Sequence, residues 1–251
     1  MLRASVSAPT DLWLLPGMDG TGRLFAPLVR ALDTSRLRPR VFAYDVRASS
    51  YDALLETLPR PSGPTIVLAE SFGGPLAVRL ARRDRELVKE LVLVASFVRP
   101  PRPFLRAAAP LLRMLPPPPA PLIRASMLGL DAAPALVDEV ARAIRSTPRE
   151  TLAGRLVAIA DLDLRAHTLD CPVRAVVAQG DRLVPRACAE EPARLSRLGT
   201  ITTITGPHLL AQTHPTRVVE LLATNCSPHL GPDAGSRTTL TDLEKRACED
   251  P

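Results

Sequence analysis

A serine that follows a short apolar run is the first residue in this chain with the setting of a nucleophile. The apolar segment Thr65–Ser71 predicts a strand, and the residues after it are typical of a helix. A serine on such a sharp strand-to-helix turn projects its hydroxyl above the sheet, next to the backbone N–H of Phe72 at the helix N-terminus. The alternative is that Ser71 only caps the helix, which is a common role of serine.

The residues around Ser71 are small, as such a turn requires. The turn brings the helix close to the neighbouring strands, so the positions two before and two after the serine must carry small residues. They are Ala69 and Gly73 in this chain. The pattern A-x-S-x-G therefore differs from the usual G-x-S-x-G only by one methyl group.

Asp181 is the first candidate for an acid that would support the nucleophile. It follows the apolar run Val173–Gln179, in a loop where a carboxylate can orient an imidazole and stabilise its charged form. The alternative is an ordinary turn residue, since Gly-Asp pairs are frequent in loops. Asp45, which follows an earlier apolar run, is the reserve candidate for the acid.

His208 is the candidate general base. It lies in a loop between the last predicted strand and the final helix, Thr216–Thr224, and it would take the proton of Ser71 and return it to the leaving group. His214 lies beside Pro215, where a helix start or a solvent contact is favoured. The remaining histidines have the positions of surface residues, and they are His167 and His229.

A glycine-rich loop follows the first predicted strand and offers backbone donors. Glycines at positions 17, 20 and 22 let the chain turn tightly, so the N–H of Met18, together with that of Phe72, would form an oxyanion hole. The alternative is a phosphate-binding loop. However, the spacing G-x-x-G-x-G matches neither the P-loop nor the dinucleotide fingerprint.

The elements that must position these residues alternate along the chain. Six short runs rich in Val, Ile and Leu predict strands covered on both faces, as in a parallel sheet. These runs are Asp11–Gly17, Arg40–Val46, Thr65–Ser71, Glu90–Ser96, Val173–Asp181 and Thr200–Gly206. Helical patterns such as Arg23–Leu32 and Gly74–Arg83 lie between several of them. The sequence therefore predicts an α/β fold, with a mostly parallel central sheet of about six strands flanked by helices.

A helical lid insertion, at about residues 98–163, interrupts this alternation. It opens with proline-rich segments at 99–103 and 116–119, which are neither strand interior nor continuous helix. Helices are predicted at Ala135–Ile144 and Leu152–Ala160, the second preceded by a capping box from Thr147 to Glu150. Residues 1–225 are thus predicted to be one domain. Residues 226–251 have the composition of a flexible tail, with a short helix at the capping box Thr241–Glu244.

The lid insertion carries more large apolar residues than a solvent-facing segment should. They are Phe104, Leu105, Leu111, Leu112, Met114, Leu115, Leu122, Ile123, Met127 and Leu128. Such residues would line an acyl pocket, where methionine and leucine adapt to flexible chains. The alternative is that they pack the insertion onto the domain.

The composition of the chain limits the classes of binding partner and the location that we expect for it. The chain has 251 residues, a net charge of +6 and scattered arginines, without the basic clusters and interleaved aromatics of a nucleic-acid surface. No segment approaches the roughly 20 apolar residues that span a bilayer, and no signal-peptide pattern is present, so we expect a cytoplasmic protein without integral membrane association. The four cysteines, with no metal-ligand spacing, are expected to be reduced thiols. They are Cys171, Cys188, Cys226 and Cys248.

With the four segments in this order, the chain resembles the α/β-hydrolase superfamily from Asp11 to Asn225, in particular its small single-domain esterases with a helical lid. Segments 171–185 and 206–215 are similar to its acid and histidine segments. The resemblance implies a catalytic triad of Ser71, His208 and Asp181, a backbone oxyanion hole at Met18 and Phe72, and neither a metal nor an organic cofactor. Pro16-Gly17 stands where many relatives have His-Gly. Few residues precede the first strand, so six core strands are expected rather than eight.

The function expected from these residues is cleavage of a small-molecule carboxylic ester, or of an acyl thioester, through an acyl-enzyme intermediate. An acyltransferase or thioesterase would use the same residues with another acceptor or leaving group. A binding protein that keeps the fold without turnover is the alternative from another class.

Overall fold

A central sheet of six parallel strands organises the protein, as the sequence predicts. The computed structural model describes residues 9–223 and Thr238–Thr239. The strands are β1 (Thr10–Leu15), β2 (Leu37–Val41), β3 (Thr65–Glu70), β4 (Val88–Val94), β5 (Val173–Ala178), β6 (Thr200–Ile204) and β7 (Thr238–Thr239). Their order in the sheet is β2-β1-β3-β4-β5-β6-β7, and only the two-residue β7 runs antiparallel to its neighbour. The predicted tail and its short helix lie outside the described residues, apart from β7.

Helices cover both faces of the sheet. They are α1 (Ala26–Ala31), α2 (Tyr51–Thr57), α3 (Gly73–Arg83), α4 (Leu105–Met114), α5 (Ala120–Ile123), α6 (Pro134–Ser146), α7 (Arg149–Ala160), α8 (Arg186–Glu190), α9 (Leu210–Thr213) and α10 (Pro215–Ala223). In β4, Leu91 and Leu93 pack in the layer with α2, α3 and α8, whereas Val92 and Val94 pack in the layer with α1, α9 and α10. The central strands β3, β4 and β5 are buried on both faces, which explains why they lack polar alternation.

The edge strand β2 differs from its prediction. Leu37–Val41 pairs with β1, whereas the apolar pattern had predicted a strand at Arg40–Val46. Phe42 N still donates to Leu14 O of β1 at 3.0 Å, and beyond it the chain leaves the sheet. Phe42 and Tyr44 are nevertheless buried, with their rings 4.6 Å from that of Trp13 and 6.3 Å from that of Phe72, respectively. The backbone N–H of Tyr44 donates to Gly20 O at 2.7 Å. Alternate burial of Phe42 and Tyr44, and not continued strand pairing, accounts for the apolar pattern beyond Val41.

The lid insertion contains α4 to α7 and connects β4 to β5. Its helices α6 and α7 confirm the two predicted there, but the predicted capping box is wrong. Pro148 is the N-cap of α7, and the Thr147 hydroxyl donates to Asp19 O at 2.7 Å instead of capping the helix. That hydroxyl is used to join the insertion to the glycine-rich loop. Among the described residues, no helix is both long and apolar enough to cross a membrane.

Candidate active site

Ser71 lies on a strained turn between β3 and α3. Its φ angle is 51°, a left-handed conformation that is costly for a residue with a Cβ. Surrounding backbone holds it there, because Ser71 N donates to Val94 O at 2.9 Å and Gly74 N donates to Ser71 O at 3.0 Å. The Ser96 hydroxyl also donates to Ser71 O, at 2.7 Å. The surroundings thus fix a conformation that the serine itself disfavours.

Close backbone contact explains the small residues of the A-x-S-x-G pattern. A Cβ on Gly73 would lie 2.6 Å from Pro16 O and 2.7 Å from Leu15 O, so only glycine fits without moving backbone. Ala69 is fully buried in β3, where its single methyl group is accommodated in the core. The pattern therefore requires glycine at the later position and tolerates alanine at the earlier one.

The structure brings Ser71, His208 and Asp181 together in one hydrogen-bonded chain. His208 Nε2 is 3.0 Å from Ser71 Oγ, and His208 Nδ1 is 2.7 Å from Asp181 Oδ2. The other carboxylate oxygen, Asp181 Oδ1, accepts from the backbone N–H groups of Leu183 and Val184 at 2.8 and 2.9 Å. The His208 and Asp181 side chains are each only 3% exposed. This arrangement can move a proton from the serine to a histidine whose orientation a buried carboxylate fixes.

The other acid and histidine candidates lie apart from this chain of contacts. Asp45 is exposed and accepts from the backbone N–H of Arg47 at 2.8 Å, so the reserve acid stays in its own turn. His214 lies between α9 and α10, within 2.9 Å of the Thr213 hydroxyl, and His167 lies 3.0 Å from Arg82. His229 lies outside the described residues.

The glycine-rich loop after β1 lies against the nucleophile. A Cβ on Gly17 would be 3.9 Å from Ser71 Cβ, so the two residues are neighbours across the turn. The phenol of Tyr44 donates to Pro16 O at 2.9 Å and supports this loop from below. Met18 follows Gly17 in the chain, and Phe72 follows Ser71. The two residues whose N–H groups are the predicted oxyanion donors thus come directly after the two residues of the Gly17–Ser71 contact.

Arg155 of α7 is a feature of the site that the sequence did not reveal. Its side chain is fully buried, and its guanidinium donates to Met18 O, Asp45 O and Ala48 O at 2.8, 3.1 and 3.1 Å. It also lies 5.8 Å from the centre of the Phe72 ring. Burial lowers the pKa of Arg155, although a guanidinium remains charged at neutral pH. One buried cation thus joins the lid insertion to the loops after β1 and β2.

The same cation explains the glycine after Asp19. Gly20 has a φ angle of +71°, and a Cβ there would lie 2.5 Å from Arg155 Nη1. Nearby, the Asp19 carboxylate accepts from the backbone N–H and the hydroxyl of Thr21 at 2.9 and 2.5 Å. The loop is therefore held by contacts within itself and by the guanidinium above it.

Glu70 is a second buried charge that the sequence analysis did not single out. It precedes Ser71 at the end of β3, and it accepts from Gln212 Nε2 at 2.8 Å and from Ala211 N at 3.3 Å. Burial raises the pKa of Glu70 to about 7, against the opposing effects of the Gln212 hydrogen bond and the nearby His208. An acidic residue inside an otherwise apolar run was the available signal. The run was interpreted only as a strand.

The raised pKa of Glu70 predicts a pH-dependent stability. The folded protein favours the neutral carboxyl, so its stabilising effect is complete below the usual pKa of 4.5 and is lost as pH rises through about 7. Relative to Glu70→Gln, the natural protein should lose roughly 3 kcal/mol of unfolding free energy across that window, since one pKa unit is worth about 1.4 kcal/mol. Urea unfolding at pH 5 and pH 8 measures this difference. Glu56→Gln, at an exposed position, is the control. The prediction would be contradicted if the natural protein and Glu70→Gln differed in unfolding free energy by the same amount at pH 5 and at pH 8.

An open groove of about 750 Å³ lies beside the candidate site, but Ser71 is not among its lining residues. It runs between residues 125–136 of the lid insertion and the loops that carry Asp181 and His208. Of the ten apolar lid residues that predicted an acyl pocket, only Leu128 lines it. Within residues 9–223, no group of three or more His, Cys, Asp or Glu side chains is arranged to hold a metal ion.

A parallel sheet with helices on both faces, and a serine on the turn after its third strand, is the architecture of an α/β-hydrolase. The chain belongs to the alpha/beta hydrolase family, whose model matches residues 12–221.

Solved structures share this fold at low sequence identity. A hydrolase from Pseudomonas aeruginosa PA01 superposes with a TM-score of 0.74 at 17% identity, covering 87% of this chain and 90% of its own. A thermophilic esterase from Thermogutta terrifontis gives a TM-score of 0.73 at 20% identity, with coverages of 86% and 89%.

One curated relative matches part of the chain more closely in sequence. Phytyl ester synthase 1, a chloroplastic protein of Arabidopsis thaliana, is 36% identical over 121 residues. The match covers 43% of this chain and only 17% of that protein.

Proposed function

We propose that the protein is a serine hydrolase that cleaves carboxylic esters, with Ser71 as nucleophile, His208 as general base and Asp181 as the acid that orients it. The observation that carries this proposal is the continuous contact from Asp181 Oδ2 through His208 to Ser71 Oγ, at 2.7 and 3.0 Å. Membership of the hydrolase family and the likeness of the fold to an esterase support it.

The proposed reaction proceeds in two halves. Ser71 Oγ attacks the ester carbonyl carbon while its proton passes to His208 Nε2, and the carbonyl oxygen becomes an oxyanion that accepts from the N–H groups of Met18 and Phe72. The intermediate then collapses, and the bond to the alcohol oxygen breaks as His208 returns the proton to it. Water, deprotonated by His208, next attacks the acyl carbon of the acyl-enzyme. The bond from that carbon to Ser71 Oγ then breaks as His208 returns the proton to Oγ, which releases the carboxylic acid and restores Ser71.

The experiment that tests this function is hydrolysis of p-nitrophenyl esters of increasing acyl length by the purified protein. We expect kcat/KM to peak at one chain length if the groove of about 750 Å³ beside the candidate site receives the acyl chain, because its length then limits which chains fit. No turnover of any ester would contradict the proposal, and it would favour the reading of a non-catalytic binding protein.

Acyl transfer to an alcohol is the second candidate, and the partial likeness to a phytyl ester synthase favours it. The acyl-enzyme would be the same, and only the acceptor that attacks it would differ. Adding phytol or dodecanol to the p-nitrophenyl ester assay separates the two activities. A transferase converts the acyl group mainly to the new ester, whereas a hydrolase releases mainly the free acid at unchanged nitrophenol yield.

A further inference from the structure

The lid insertion exposes large apolar side chains that the core does not use. Of the ten large apolar residues exposed in the described chain, six lie between positions 104 and 130. They are Phe104, Leu111, Met114, Leu115, Leu122 and Leu130, with exposed fractions of 53% to 80%. We call these six residues the lid patch. Clustering of this kind marks an interaction surface, whereas single exposed apolar residues are ordinary.

The helix α4 shows that the lid patch does not pack the insertion onto the domain. Ala109 is buried and Leu105 packs against the core, so one side of the helix already makes that contact. Phe104, Leu111 and Leu115 are spaced by seven and four residues, which places them together along another side. Met114, the most exposed at 80%, lies next to them.

The segment of chain that carries the lid patch has charged residues of one sign. From Phe97 to Leu130 the chain has five arginines and no aspartate or glutamate. Arg99 forms an ion pair with Glu191 of the domain, and Arg106 forms one with Asp161 at the end of α7, within the insertion. Within the described part of the chain, the exposed Arg113 and the half-buried Arg124 form no ion pair. The positive charges of Arg113 and Arg124 are thus available to an anionic binding partner.

We propose that the lid patch docks on the surface of an anionic lipid membrane. An apolar helix face flanked by arginines is the chemistry of an interfacial helix, whose side chains enter the acyl boundary while the guanidinium groups meet lipid phosphates. The complete absence of acidic residues over this stretch matches a negatively charged surface. The docking places the lid insertion, and the sheet edge beneath it, next to apolar substrates held in the membrane.

Co-sedimentation of the full chain with vesicles tests this docking independently of any catalytic activity. We expect binding to vesicles of phosphatidylcholine with 30% phosphatidylglycerol, weaker binding to phosphatidylcholine alone, and release by salt. Leu111→Asp combined with Met114→Asp should weaken binding by about tenfold or more, because it removes apolar contact and adds repulsion. Arg113→Gln should weaken binding only to the anionic vesicles, by about fivefold.

The matched control is Leu198→Asp. Leu198 is 60% exposed, but it precedes β6. It therefore lies at the amino-terminal ends of the parallel strands, whereas the candidate site lies at their carboxyl-terminal ends. This variant should bind vesicles as the natural protein does, and thermal unfolding checks that all variants fold. Absence of vesicle binding, or equal loss in Leu198→Asp, would overturn the proposal. So would sedimentation showing a dimer that the double aspartate variant dissociates while vesicles remain unbound, because a second copy would then cover the patch.

Discussion

Ser71→Ala is expected to lower kcat for ester hydrolysis by roughly three orders of magnitude or more, with little change in KM. The substitution removes the atom that attacks the carbonyl carbon, but it leaves the surrounding loops and the φ angle of 51° in place. Steady-state hydrolysis of the best p-nitrophenyl ester measures the effect. The exposed Ser35→Ala serves as the control and should retain full activity.

A double variant decides whether Ser71 and His208 act as one unit. His208 has no proton to take once the serine oxygen is gone, so Ser71→Ala combined with His208→Ala should be no slower than Ser71→Ala alone. If instead the two losses multiply, or if Ser71→Ala keeps more than about a tenth of the activity, the proposed nucleophile is wrong.

Arg155→Met is expected to reduce both stability and turnover. Methionine fills much of the volume but leaves the carbonyl oxygens of Met18, Asp45 and Ala48 without their charged donor. Buried acceptors left unpaired cost about 1 to 3 kcal/mol each, so we expect a total loss of roughly 3 to 5 kcal/mol after partial relaxation. Urea unfolding measures this loss.

The effect of Arg155 on turnover distinguishes positioning from simple stability. Arg155→Met, assayed well below its melting temperature, should show a large fall in kcat and a smaller change in KM. The reason is that the Met18 loop, which would receive the oxyanion, is no longer held. Arg155→Lys keeps the positive charge but forms fewer hydrogen bonds, so its kcat should lie between that of the natural protein and that of Arg155→Met. Arg149→Met removes an exposed arginine from the same helix and should change neither quantity. Equal kcat in Arg155→Met and Arg149→Met would exclude a positioning role.

The sequence predicted the parallel sheet and the convergence of Ser71, Asp181 and His208 because these features follow local rules. Each residue comes directly after a strand, and parallel strands end at one edge of a sheet. Arg155 and Glu70 were missed because a charged residue in an apolar pattern has no local partner. Their partners are carbonyl oxygens and an amide contributed by segments more than 100 residues away. Tertiary contacts also explain why Thr147 does not cap α7 and why Phe42 and Tyr44 are buried outside any strand.

The polar contacts of α7 anchor the second half of the lid insertion to the domain. Arg155, Thr147 and Thr151 fix α7 and the end of α6 to the loops after β1 and β2 through buried hydrogen bonds. Residues 99–133 are held by apolar contacts, such as those of Leu105 and Ile123, and by the partly buried Arg99–Glu191 pair. The Arg106–Asp161 pair is exposed and lies within the insertion. We therefore expect amide hydrogen exchange to be rapid in α4 and α5 and slow in α7. Local opening of residues 99–133 would then leave the loop around Met18 in place, because Arg155 and Thr147 hold that loop from α7 and from the end of α6.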